Sequence, residues 1–91
     1  YVFFALDHPT SWTAAFGRMW REFFGTYLEA SGDAELLDVA APWLAWRALV
    51  IANPRFYPAM SAGARDRILS LAERVLDSPR LDLSAPEALG R

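Results

Sequence analysis

Between Trp12 and Leu28 the apolar residues recur at Trp12, Ala15, Phe16, Met19, Trp20, Phe23, Phe24, Tyr27 and Leu28. This i, i+3, i+4, i+7 series belongs to an amphipathic helix, and a helix with such a stripe must find another element to cover it. The spacing predicts a helix over about 11–31, with Thr10 or Ser11 capping its first amides and Gly32 closing its last turn in the left-handed conformation. Arg18, Arg21, Glu22, Thr26 and Glu29 fall on the opposite face, which reads as solvated, and Arg18 and Glu22 have the i, i+4 spacing of an ion pair. Gly17 and Gly25 lie on nearly the same side of this helix and are expected to let a neighbouring helix approach closely.

The next segment is apolar nearly all round: Leu36, Leu37, Val39, Trp43, Leu44, Trp46, Leu49, Val50 and Ile51. It predicts a helix over about 34–52, capped by Asp33, of the kind that occupies the centre of a bundle. Pro42 lies inside it and has no N–H for the Asp38 carbonyl, so a kink or two short helices meeting there is expected. Asn53-Pro54-Arg55-Phe56-Tyr57-Pro58 reads as an ordered, aromatic-bearing loop. Ser61 then caps a third helix over about 62–77, with Ile68, Leu69, Leu71, Ala72, Val75 and Leu76 on one side and Arg65, Asp66, Arg67, Glu73 and Arg74 on the other. Arg80 to Leu83 reads as extended or irregular, and Ser84-Ala85-Pro86-Glu87 has the spacing of a capping box. Tyr1 to Leu6 fits either helix or strand. The expected fold is one all-α domain over residues 1–91, a small bundle of three main helices with the second kinked at proline.

Composition narrows the chemistry. At 91 residues, 54% hydrophobic and 22% charged, the chain suits one compact domain, and a net charge of −2 leaves no basic patch able to neutralise several phosphates. Nucleic acid is therefore not an expected partner. There is no cysteine, which excludes disulfides, thiol nucleophiles and zinc–thiolate sites and suits a reducing cytoplasm. There is no lysine either, so all nine basic side chains are Arg and lysine-based catalysis is excluded. The apolar run Tyr1 to Leu6 is too short to span a bilayer, and its first residue, Tyr, reads as the continuation of a longer chain.

No reactive constellation emerges from the residues. His8, between Asp7 and Pro9, is the only histidine and has no second imidazole with which to hold a metal; it reads as a residue of the turn before the first helix. Asp33, Glu35 and Asp38 are explained by a cap and by favourable charge near a helix start. None of the serines stands in a Gly-x-Ser-x-Gly elbow, and the five glycines form no phosphate cradle. No catalytic and no metal-ligating residue is assigned. Arg47 stands out as the only charge between Asp38 and Arg55, beside Trp43 and Trp46. Either its stem packs on aromatics while its head meets a carboxylate or water, or it recognises an anionic ligand. Tyr57, with Phe56 and Arg55, either lines a pocket or tucks over the core.

Three segments carry a resemblance: Tyr27-Leu28-Glu29-Ala30-Ser31-Gly32-Asp33, Ala41-Pro42-Trp43-Leu44-Ala45-Trp46-Arg47-Ala48-Leu49-Val50, and Asn53-Pro54-Arg55-Phe56-Tyr57-Pro58. Together they resemble the C-terminal helical part of aminoglycoside phosphotransferase-like kinases, a group that includes choline- and homoserine-kinase-like proteins, and the likeness covers about Tyr1 to Leu83. It implies late helices that complete the larger lobe of a kinase-like fold and border its acceptor pocket, with Trp43, Trp46, Arg47 and Tyr57 as substrate-binding residues. ATP and magnesium are implied for the parent protein only. The His-x-Asp and Asn of the catalytic loop, a metal-binding Asp and the ATP-anchoring Lys of phosphoryl transfer cannot be matched here, so residues 1–91 are expected to be inert alone. The implied partners are the N-terminal lobe of the same protein and a small-molecule acceptor. A different expectation is a self-standing helical module that binds a ligand or pairs with a second copy of itself.

Overall fold

Alanine decides which face of the second helix is buried. Ala41, Ala45, Ala48 and Ala52 recur at helical spacing along one side of it and are all buried, and opposite them lie Ile68, Leu71, Ala72 and Val75 of the third helix. Methyl-sized side chains on one partner and branched ones on the other let the two backbones approach while the interface stays filled. The computed structural model describes residues 8, 15–84 and 86. It is all-α, a bundle of three helices with no strand among the described residues: α1 (Gly17–Ser31), α2 (Leu36–Ala52) and α3 (Ala62–Leu76). α2 and α3 form the tightly packed pair. α1 reaches the same core with Phe16, Trp20 and Phe24, all half-buried, and Trp20 meets Phe24 edge-on with ring centroids 4.7 Å apart.

Helix ends follow local chemistry. Gly32 takes φ 66°, and its N–H donates to the Leu28 carbonyl at 2.9 Å, as expected of a left-handed C-terminal stop. The Ser31 hydroxyl donates to the Tyr27 carbonyl at 2.7 Å and accepts the Asp33 N–H at 3.1 Å, which turns the chain toward α2. Ser61, extended, accepts the Ala64 N–H at 3.1 Å and starts α3 as anticipated. Arg18 and Glu22 pair at 3.2 Å on the solvated face of α1.

Other expectations are corrected. Asp33 does not cap α2: Glu35 holds the N-cap position without a side-chain bond, and the Asp33 carboxylate instead accepts the Tyr27 hydroxyl at 3.2 Å. Of the two outcomes expected at Pro42, a kink or two short helices, the second is not found, since α2 runs through it as one helix; Pro42 and Asp38 are both exposed, so the Asp38 carbonyl left without an amide stays near water. Nor does α2 occupy the centre. Its alanine side is the buried one, Leu37, Ala40, Leu44 and Ile51 are half-buried against the core, and Val39, Trp43, Trp46 and Leu49 are exposed. The aromatic stripe of α1 divides likewise, with Met19, Phe23 and Tyr27 exposed beside the half-buried Phe16, Trp20 and Phe24. On α3, Leu69 and Leu76 are exposed although they lie next to buried positions. Gly17 is buried, but a side chain at Gly25 would meet nothing within 4 Å, so no neighbouring helix uses that gap.

The π-turn at Ala15 and Phe16 leads into α1, while the caps expected at Thr10 or Ser11, residues 11–14 and the conformation of Tyr1 to Leu6 lie outside the described residues. α2 and α3 begin or end within two residues of their expected limits. Residues 78–84 are irregular, as expected for Arg80 to Leu83. Ser84 turns back to Asp82, and Glu87, its expected capping-box partner, lies outside the described residues.

Urea denaturation tests the alanine interface. Ile68→Ala should cost about 2–5 kcal/mol through the cavity it leaves, and Ala48→Leu about 1–3 kcal/mol by forcing α2 from α3. Leu49→Gln on the outward face should change stability by no more than about 0.5 kcal/mol.

Candidate functional site

The irregular segment after α3 returns across the molecule and holds α1 and α2 at a fixed separation. The Leu81 N–H donates to the Leu37 carbonyl at 2.8 Å, and Leu81 itself is buried. Beside it, the Arg80 guanidinium donates to the Ala34 carbonyl at 2.7 Å and pairs with the Asp38 carboxylate at 2.7 Å. Two residues later the Leu83 carbonyl accepts the Trp20 indole N–H from α1 at 2.8 Å. Residues 78–84 thus form a strap latched to the start of α2 on one side and the first turn of α1 on the other.

Within the strap, Asp82 accepts both the Ser84 hydroxyl at 2.7 Å and the Ser84 N–H at 2.9 Å. The hydroxyl bond first, then the backbone bond, holds its carboxyl below the usual carboxylate range. A carboxyl depressed on folding contributes stability at neutral pH that disappears as pH falls from the ordinary value of 3.8 through the folded one. Asp82→Asn is expected to flatten that acid limb of the stability curve.

Where α1 and α2 diverge above the strap they leave an open groove of about 540 Å3, within the range of about 300–1,000 Å3 usual for small-molecule sites. Trp20 and Phe24 form its α1 wall, Leu36, Val39, Ala40, Trp43 and Leu44 its α2 wall, and Leu81 closes it. Among the described residues, Arg47 is the only charged one in the lining. It is exposed, and its guanidinium makes no hydrogen bond or ion pair among the described residues. Among the described residues its head meets no carboxylate, which leaves water or an anionic ligand as its partner. The nearest acid on its own helix, Asp38, is engaged by Arg80.

The four anticipated binding residues are only partly brought together. Trp43 and Arg47 line the groove, and Trp46 lies outside its lining but meets Trp43 edge-on at 5.9 Å and 86°. Tyr57 is elsewhere, on the connection between α2 and α3. There the Asn53 side chain accepts the Arg55 N–H at 2.9 Å, and Arg65 donates to the carbonyls of Ala52, Tyr57 and Met60. That arginine bracket orders the loop, yet Phe56 and Tyr57 stay exposed instead of tucking over the core. Sequence reasoning missed Trp20, Phe24 and Leu81 as groove residues. The first two sit in the stripe read as core, and Leu81 carried no signal, because bonds and packing between distant parts of the chain put it there.

His8 is exposed, and the described residues contain no group of three or more side chains able to hold a metal ion. Among those residues no helix is long and apolar enough to cross a membrane. No protein-family model, curated protein or solved structure matches the chain.

The latches can be opened singly. Arg80→Gln and Trp20→Phe should each cost about 0.5–1.5 kcal/mol, and each should speed hydrogen exchange at the Leu81 amide. Unchanged exchange at that amide would contradict the strap as the device that spaces α1 from α2.

Proposed function

We propose that this chain is the acceptor-substrate-side helical subdomain of an ATP-dependent small-molecule phosphotransferase of the aminoglycoside phosphotransferase-like kind, a piece of the C-terminal lobe of a kinase-like fold. The observation that carries the reading is the outward face of α2. Val39 is 57% exposed, Trp43 69%, Trp46 56% and Leu49 55%. An apolar face of this size at helical spacing, with two tryptophans at its middle, is the kind of surface that another polypeptide completes. In a two-lobed phosphotransferase that polypeptide is the nucleotide-binding lobe with its catalytic loop. ATP and magnesium belong to that lobe, since the Lys and the His-x-Asp loop of the phosphoryl-transfer template have no counterpart in residues 1–91.

The segments that carry the resemblance support the reading by their positions. Tyr27 to Asp33 forms the end of α1 and its turn, Ala41 to Val50 lies within α2, and Asn53 to Pro58 is the connection bracketed by Arg65. In this reading Trp43 and Arg47 border the acceptor, Trp46 backs Trp43, and Tyr57 serves the connection and not the border.

The test is phosphoryl transfer from ATP to a panel of sugars, amino alcohols and aminoglycosides. Residues 1–91 alone should transfer nothing, and the protein encoded by the whole reading frame should phosphorylate at least one acceptor. Transfer by residues 1–91 alone, or a whole reading frame with no lysine-bearing nucleotide lobe, would contradict the reading. The same exposed face favours one other reading, a module that pairs with a second copy of itself, and a melting temperature that rises with protein concentration would select it.

A further inference from the structure

We propose that the groove between α1 and α2 binds a free alkyl carboxylate, its hydrocarbon chain lying between Trp20 and Trp43 and its carboxylate on Arg47. The inference concerns binding alone and does not rest on the phosphotransferase reading. Two properties of the groove select the ligand. Apart from Arg47, the described lining side chains are aromatic or aliphatic, and the only other polar group among them, the Trp20 indole N–H, is already given to the Leu83 carbonyl. A hydroxyl buried between such walls would go unpaired, which confines a polyhydroxyl acceptor to the exposed rim at Trp43 and Arg47, whereas a hydrocarbon chain loses nothing by entering.

Arg47 then specifies the other end of the ligand. Among the described residues it is the only charge in the lining and has no partner, and Asp38, the nearest acid on α2, is held by Arg80. A guanidinium presents a planar fork of donors that matches a carboxylate in two parallel bonds, and an apolar wall beside the pair strengthens the attraction by excluding water. One anionic head and one apolar body is therefore the complement of this site. The strap is bonded to both walls, through the Leu37 carbonyl and Asp38 on α2 and the Trp20 indole on α1, and walls tied in this way need less ordering on binding.

The site is tested by titrating the protein with hexanoate, octanoate and decanoate below their micelle concentrations, following the fluorescence of the groove tryptophans and confirming stoichiometry by calorimetry. Saturable one-to-one binding is expected, tightening by about two- to fourfold per added methylene, with decanol bound about tenfold more weakly than decanoate. Arg47→Gln should erase the preference for decanoate over decanol, and Arg47→Lys should restore part of it. Val39→Asp, an exposed wall position, should weaken decanoate more than decanol. Circular dichroism of these surface variants should match that of the parent. Equal affinity for decanoate and decanol in the parent protein would overturn the proposal, as would an undiminished preference in Arg47→Gln. So would a response only to anionic vesicles and not to the free carboxylates, or no saturable binding at all.

Discussion

The contact between the alanine side of α2 and the branched side chains of α3 is the constraint on which the rest of the molecule depends. It commits Ala41, Ala45, Ala48 and Ala52 to the interior and, because an α-helix has only one such side, turns Val39, Trp43, Trp46 and Leu49 outward. Both tryptophans of α2 are thus on its surface, Leu37, Leu44 and Ile51 are half-buried, and the smallest side chains are in its core. That inversion is favourable only if close packing against Ile68, Leu71 and Val75 offsets what the outward residues lose by staying in water. It also leaves a surface that further contacts can stabilise, by roughly 25 cal/mol for each Å2 of apolar area covered.

The remaining tertiary structure is assembled from polar links to backbone groups. Arg65 gathers the carbonyls at the end of α2 and along the connection, Arg80 and the Leu81 amide fasten the strap to the start of α2, and Trp20 fastens it to α1. Each satisfies a carbonyl that a helix end or an irregular segment would otherwise leave to water. In a chain with no lysine, arginine does this bracketing, and its planar fork lets one side chain join several carbonyls at once. Arg47 is unlike Arg65 and Arg80 because nothing among the described residues occupies its fork.

Much of this fold could be read from residue order alone, and what could not has physical reasons. The three helices, the Gly32 stop and the Ser61 cap follow from periodicity and short-range hydrogen bonding, which act within a few residues. The burial of α2 was misjudged because hydrophobicity ranks Trp43 and Trp46 above alanine, while closeness of approach ranks alanine first. Asp33 was misassigned because a carboxylate before a helix can serve a tyrosine hydroxyl as readily as a helix amide. For the site, the pairing of Trp43 with Arg47 was visible as a charge one turn from an aromatic. The α1 wall and Leu81 were not, since they arrive through contacts some sixty residues apart, such as Trp20 with Leu83.

Hydroxyl-radical footprinting read by mass spectrometry tests the orientation of α2 most directly, because it labels side chains in proportion to their contact with water. The account predicts rapid oxidation of Trp43 and Trp46, slower oxidation of Trp20, and protection of Ile68 and Leu71. Trp43 and Trp46 as protected as Trp20 would mean that α2 is turned about its axis, and the alanine-lined interface would have to be abandoned.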